Sequence, residues 1–222
     1  MDSPHIVLIS LHADPSTPPG AQEGGGTHSY LRELLTGFAL KGRRCTLITR
    51  RTSPQLAEVE RITEDIKVVR IQSGPLCSID KKLLNQYHEQ SLRQIRRIIE
   101  SLSDYQVVLH SVYWNSGRVA MNLSEEFCIP YVHTVISNGL RREREGAPSN
   151  APHRIDTERR IFAKAALIFC VSEEEKNDLI ELYGVPPKRL VVIGRPVSSA
   201  FRLPARNDMG VARPINLSQL IK

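Results

Sequence analysis

The sequence predicts an α/β fold, a Rossmann-like doubly wound and mainly parallel sheet of about seven strands. Three observations carry this. Short apolar runs alternate with longer stretches whose apolar residues recur at helical spacing. A run of glycines, Gly24, Gly25 and Gly26, separates the first such strand from the first such helix. The chain has 222 residues of which 41% are hydrophobic, enough to bury a full core.

The elements follow in order. His5 to Leu11 is rich in Ile, Val and Leu, as suits a strand covered on both faces. The loop AQEGGGTHSY, Ala21 to Tyr30, then offers bare backbone N–H groups beside a helix N-terminus, a combination that can cradle phosphate oxygens. It matches neither G-x-G-x-x-G nor G-x-x-x-x-G-K-[ST], so the loop alone leaves an unliganded surface turn open. Tyr30 to Leu40 has helical spacing and Gly42 stops it. Arg44 to Thr49 is the second strand, and Ile66 to Ile71 the third, near an edge, broken by Gly74 and Pro75. Lys81 to Leu102 reads as one amphipathic helix. Gln106 to His110 is a strand, Ser116 to Phe127 a helix and Pro130 to Ile136 a strand. Asn138 to Pro152 reads as a long mobile connection, of a length usually kept for a lid. Thr157 to Ala166 is helical, Leu167 to Val171 a strand, and Ser172 with Glu175 forms a capping box for a helix ending at Tyr183 and Gly184. Arg189 to Ile193 is the last strand. Residues 1–201 thus form one domain, and 202–222 an irregular tail.

A net charge of +6 and a pI near 9.3 favour an anionic partner. Aromatics are only 5% and do not interleave with the basic runs, which argues against nucleic acid. Cys45, Cys77, Cys128 and Cys170 form no C-x-x-C pair, and Cys45 and Cys170 fall in apolar runs, as expected of reduced thiols in a cytoplasmic protein. The first residues lack the basic region of a signal peptide, and no stretch approaches the roughly 20 apolar residues that cross a bilayer.

Ligands of doubly wound sheets bind at the carboxyl ends of the strands. Here those ends are the glycine loop, HSVYWNSG (His110 to Gly117), HTVISNG (His133 to Gly139) and Ser172. His110 and Tyr113 follow one strand; His133 and Thr134 end another, where an imidazole can share a proton with a substrate hydroxyl. Lys81 and Arg154 could clamp a phosphate or carboxylate, although either residue is more often a surface charge. No nucleophile elbow, zinc-spaced Cys/His cluster or paired carboxylates occur, so no metal and no resident cofactor are expected.

The order of these motifs resembles retaining GT-B glycosyltransferases of the group 1 family, the branch of sucrose-phosphate synthase and the glycosyltransferase of mycothiol synthesis. The resemblance rests on GGGTHSYLRELLTGFALKGRRCTLITRR, HSVYWNSG, PYVHT, ERRIFAKAALIFCVSEEEKNDLIELYG and VVIGRPVSSAF, in order from Ile6 to Phe201. It implies two Rossmann-like domains across a cleft, the first holding a small-molecule or glycan acceptor and the second a nucleotide-sugar donor, the co-substrate. It implies that Gly25 and Gly26 approach the donor diphosphate and that His133 serves the transferred sugar as the catalytic residue. It further implies that His28, Lys81, His110, Tyr113, Thr134 and Arg154 line the acceptor side. The sequence departs from the family pattern at His28, Val112 and Ile136, and a donor-binding half with its Glu-x7-Glu segment is not present up to Lys222. The resemblance therefore implies an acceptor-side domain, inactive alone and open to a separate donor-binding domain. A non-catalytic module for a phosphorylated or sugar-like ligand is the second reading. A dehydrogenase or epimerase is disfavoured by the missing dinucleotide fingerprint.

Overall fold

The computed structural model describes residues 3–18, 25–149 and 151–194. Eight strands form one sheet: β1 (His5–Ile9), β2 (Cys45–Arg50), β3 (Val59–Arg61), β4 (Ile66–Ile71), β5 (Val107–Val112), β6 (Tyr131–Thr134), β7 (Leu167–Cys170) and β8 (Leu190–Val192). Their order is β3-β4-β2-β1-β5-β6-β7-β8, parallel throughout except for the antiparallel β3–β4 pair. The helices are α1 (Gly26–Leu40), α2 (His88–Glu100), α3 (Trp114–Phe127), α4 (Gly139–Arg144), α5 (Arg154–Lys164) and α6 (Glu173–Tyr183).

β1 lies at the centre, with Leu8 on Leu47 of β2 and on His110 of β5. Its continuous apolar run is what a strand buried on both faces requires. Alternation sorts the side chains. Val7 and Ile9 face a core shared with Ile95 and Ile99 of α2, Val119 and Leu123 of α3, and Ile161 and Phe162 of α5. Leu8 faces the opposite core, built with Tyr30, Leu31 and Leu35 of α1. On that second face the outer strands are barer, and Leu167, Val191 and Ile193 stay more than a third exposed.

Four expectations about elements change. An eighth strand, β3, adds an antiparallel edge; its three residues, Val-Glu-Arg, are too short and too exposed to show a pattern. The Lys81 to Leu102 helix divides into a 3-10 turn, Lys81–Tyr87, capped by the Asp80 carboxylate on Lys82 N, and α2. The stretch from Asn138 is not a bare connection but opens with α4, capped by the Asn138 side chain on Arg141 N. The helix expected from Thr157 begins at Arg154. The Ser172 cap of α6 is as expected, its Oγ accepting from Glu175 N at 3.1 Å, but the Glu175 carboxylate accepts from Val171 N at 2.9 Å, one residue before the N–H that a capping box uses. The 202–222 tail and Gly24 lie outside the described residues. No helix among the described residues is long and apolar enough to cross a membrane.

One buried ion pair ties the start of the β1–α1 loop to the sheet. Arg70 of β4 reaches Asp14 at 2.5 Å, with side-chain exposures of 1% and 6%. Arg70 also contacts Glu60 of β3 at 2.6 Å and Ser16 Oγ at 3.0 Å. Burial alone would raise the Asp14 carboxyl, but the hydrogen bonds from Arg70 and Ser16 more than reverse this and hold it below the ordinary range. Breaking such a pair leaves a buried charge without its partner. Arg70→Met is therefore expected to destabilise the chain by about 3 kcal/mol or more in urea unfolding at neutral pH. Because the folded carboxyl is depressed, this contribution is present above an unfolded pKa of about 3.9 and is lost as pH falls through the folded value. An Arg70→Met loss that persists unchanged in strong acid contradicts this account.

Candidate functional site

The neighbours of β1 decide where a ligand can sit. From β1 the chain passes through α1 to β2 on one side, and from β5 through α3 to β6 on the other. The loops after β1 and β5 thus part at a topological switch point. His12 and Tyr113 close its floor, their rings tilted with centroids 4.6 Å apart.

A hollow of about 330 Å³ opens beside this pair, lined by His12, Asp14, His28, Arg50, Asp80 and Lys81 among others. A smaller one of about 180 Å³ adjoins it, sharing Asp80 and Lys81 and adding Tyr113 and Trp114. Within them Asp14 is committed to Arg70, and Asp80 caps its own turn. Among the described residues Lys81 has no carboxylate within 4.0 Å, so the rim shared by the two hollows favours an anion. No described group of three His, Cys, Asp or Glu side chains could hold a metal ion.

The expected residues fall into two sets. Gly25, His28, Lys81 and Tyr113 come to the switch point. Gly25 is the N-cap of α1 with extended backbone, φ −131°, and a Cβ added there would meet nothing within 4 Å. Its value is open space, since no left-handed conformation is required. Its N–H donates to His28 Nδ1 at 3.1 Å, which leaves the neutral ring its proton on Nε2. Gly26 follows as the first helical residue and, like Gly25, is exposed. Burial, then Lys81 and Arg32, lowers the His28 pKa.

Tyr113 adopts φ 71°, ψ 154°, a conformation that costs a non-glycine residue about 1–3 kcal/mol. Its ring is held by His12 on one side and by the Arg154 guanidinium, 5.2 Å from the centroid. Arg154 itself is wholly buried. Its Nε donates to Glu158 at 2.7 Å, Nη1 to Ser149 O at 3.1 Å and Nη2 to Ser137 O at 2.7 Å. It braces Tyr113 and the loop after β6, and it does not line either hollow.

His110, Thr134 and His133 lie inside the sheet layer. Alternation sends His110 and Thr134 to the α1 face, where Thr134 Oγ1 meets His110 Nε2 at 2.8 Å and the Tyr30 hydroxyl at 3.2 Å. His133 points to the other face. There its Nδ1 meets Ser111 Oγ at 2.8 Å and its ring packs against Gly117, where an added Cβ would lie 2.8 Å from His133 Cε1. None of the three lines a hollow.

His12 is a site residue that sequence reasoning passed over. Its signal was available: a histidine directly after the apolar run His5 to Leu11, at the same end of the sheet as the glycine loop. Its Nδ1 is buried without a hydrogen-bond partner among the described residues. Burial, with Lys81 and His28, pushes its pKa down to about 3.

Comparison with known proteins fixes the family. Residues 24–201 match Glycosyltransferase Family 4. The chain belongs to that family. A D-inositol 3-phosphate glycosyltransferase of Pseudarthrobacter chlorophenolicus is 32% identical over 218 residues, covering 93% of this chain and 51% of that protein. Another, from Xylanimonas cellulosilytica, is 27% identical over 194 residues, 86% of this chain and 46% of its own length. The sucrose-phosphate synthase of Thermosynechococcus elongatus superposes with a TM-score of 0.75 at 25% identity, covering 86% of this chain and 48% of that one. The fold is also that of Phytolacca americana UGT2, solved with UDP-2fluoro-glucose and pterostilbene, at TM-score 0.62 and 15% identity over 89% of this chain and 55% of that one. This family member is thus the N-terminal Rossmann-like domain of the GT-B group 1 type, and it spans about half the length of the curated relatives it matches.

Buried neutral histidines make this family member acid-sensitive. His12 and His133 are pushed down to about 3, and His88 and His110 to about 4, chiefly by burial. The unfolded chain takes up these protons near pH 6.5 and the folded chain does not. Stability from each is therefore present above about pH 6.5 and is lost, at up to about 1.4 kcal/mol per pH unit, as pH falls toward the folded value. Urea unfolding between pH 7 and about pH 4.5 is expected to show this slope, and His88→Asn to reduce it by one proton. A pH-independent midpoint would contradict neutral burial of these rings.

Proposed function

We propose that this domain holds the acceptor of a sugar transfer, a phosphorylated polyol such as an inositol phosphate, in the hollow between His12, His28, Lys81 and Tyr113. The observation that carries the reading is Lys81: an ammonium without a carboxylate partner among the described residues, standing on the rim shared by both hollows at the switch point. It would take the acceptor phosphate as a point charge. Imidazoles held neutral by burial, and the phenol of Tyr113, suit the hydroxyls of a polyol, since each can donate or accept. Two of the relatives compared above are D-inositol 3-phosphate glycosyltransferases, which supports this class of acceptor.

The donor in this reading is a nucleotide sugar, presented by a second half supplied in the same or another polypeptide. The acceptor oxygen bonds to the anomeric carbon on the face that the diphosphate leaves, so configuration is retained. The hydroxyl proton passes to the departing diphosphate. The backbone N–H of Gly26 at the N-terminus of α1, with that of Gly25 if it exchanges its bond to His28 for the ligand, would stabilise the charge that develops there. His133, whose Nδ1 is taken by Ser111 and whose ring lines neither hollow, acts in this reading by holding β6 to β5 behind the transferred sugar. Thr134 and His110 hold the adjoining strand ends together behind the acceptor. Arg154 acts in this reading by fixing Tyr113.

The second reading, a module that binds a phosphorylated ligand without transfer, draws on the same hollow and its Lys81 ammonium. Calorimetry of the 222-residue chain with D-inositol 3-phosphate tests what both share. Saturable binding is expected, weakened about tenfold or more by Lys81→Ala and by His12→Ala, each removing a contact to a charged ligand. Adding UDP-sugars to the chain alone is expected to give no product. Absence of binding overturns the acceptor reading, and robust turnover by the chain alone overturns the need for a second half.

A further inference from the structure

Lys81 stands at the end of a strap, residues 72–80, that leaves β4 and crosses to the 3-10 turn. The strap is pinned at its start onto α2. Gln72 N donates to Gln94 Oε1 at 3.2 Å, Ser73 Oγ lies 2.7 Å from Ser91 Oγ, and Gly74 N donates to Gln90 Oε1 at 2.9 Å. Gly74 has φ +83°, and an added Cβ would come within 2.8 Å of the Tyr87 ring, so the strap turns sharply there. Beyond that turn the strap is held by Arg50. This residue closes β2, is 4% exposed, and donates Nη1 to Pro75 O and Nη2 to Cys77 O, both at 2.7 Å. Only Ser78, Ile79 and Asp80 separate Cys77 from Lys81, and all three line the larger hollow with Arg50.

We infer that Arg50 is a positioning residue: its fork on the Pro75 and Cys77 carbonyls sets where the Lys81 ammonium stands. The inference deepens the acceptor reading above and rests on it for the ligand. The physical reason is the planar guanidinium. Two terminal nitrogens at a fixed separation can serve two carbonyls at once, which fixes both the distance and the orientation of the strap. A lysine would keep the positive charge but concentrate it in one ammonium, losing the fork. Since Arg50 also lines the hollow, a direct contact with the ligand is the competing role, and the two differ in how Arg50 and Lys81 combine.

A double-mutant cycle on the 222-residue chain separates them, with D-inositol 3-phosphate as the calorimetric probe. Arg50→Ala and Arg50→Lys are each expected to weaken binding about tenfold, and Arg50→Ala made on Lys81→Ala to change it less than about twofold. Hydrogen exchange provides a readout that needs no ligand. Amides from 78 to 81 should exchange faster in both Arg50 variants while those of α2 and the central strands keep their protection. Wild-type affinity in Arg50→Lys, or additive losses in the cycle, overturns positioning in favour of charge or direct contact. Unchanged exchange at 78–81 overturns it independently. If the wild-type chain binds no inositol phosphate, the acceptor reading fails on its own, and the exchange experiment still decides whether Arg50 holds the strap. Should Arg50→Ala not fold, Arg50→Lys carries the same comparisons.

Discussion

The structure depends on β1 being buried on both faces between β2 and β5. A parallel strand in that position cannot be followed by a hairpin, so the chain must leave the sheet and return by a crossover. The crossover from β1 winds one way and that from β5 the other, and the gap between them cannot be filled by either loop. Apolar burial of Val7, Leu8 and Ile9 therefore creates, at the far end of the same strand, a place where polar groups meet without being covered. His12 and Tyr113 occupy it because they are the first side chains past β1 and β5 that reach across.

Holding such a gap open against collapse falls to buried arginines. Arg70 ties the β1 loop to β4 through Asp14, Arg50 ties the strap to β2, and Arg154 ties the loop after β6 to α5 through Ser137 and Glu158. Each side chain is almost wholly buried, and each fork serves more than one oxygen. A buried cation is costly unless every N–H finds an acceptor, and backbone carbonyls of irregular segments need donors. The two requirements answer one another. The loops gain partners they cannot find in the sheet, and the cations gain acceptors that remain in place when a ligand comes or goes.

Much of the fold was legible because its signal is local. The Ile, Val and Leu runs of β1 and β2, the 3.6-residue spacing of α1 and α3, and the Ser172–Glu175 cap each follow from neighbours in sequence. What was not legible depends on partners far along the chain. β3 is three exposed residues whose strand character comes from pairing with β4. The break at Tyr87 falls where that ring packs over Gly74, thirteen positions earlier, a contact that leaves no periodic trace. In the site, strand-end position pointed to Tyr113, and the glycine loop to Gly25 and His28, but strand end alone does not say which face a side chain takes. His110 and His133 occupy adjacent strands on opposite faces, and both turn into the layer. Arg154 was expected as a ligand clamp or a surface charge, and Arg50 and Arg70 drew no reading, because the sequence shows a cation and hides the acceptors that let it be buried.

The arrangement divides its cations by task. Those with a planar fork are spent on carbonyls and carboxylates within the chain, where geometry matters, while Lys81, exposed at the rim, keeps its charge for what enters the hollow. The ammonium has three donors free to turn toward an incoming ligand, whereas the guanidinium forks are fixed on partners within the chain. The neutral imidazoles beside it follow from the same field, since Lys81 is among the causes that lower His12 and His28. Burial keeps these imidazoles neutral, and the Lys81 ammonium, without a carboxylate partner among the described residues, adds to that effect. The hollow thus sets a single charge beside groups that can either donate or accept.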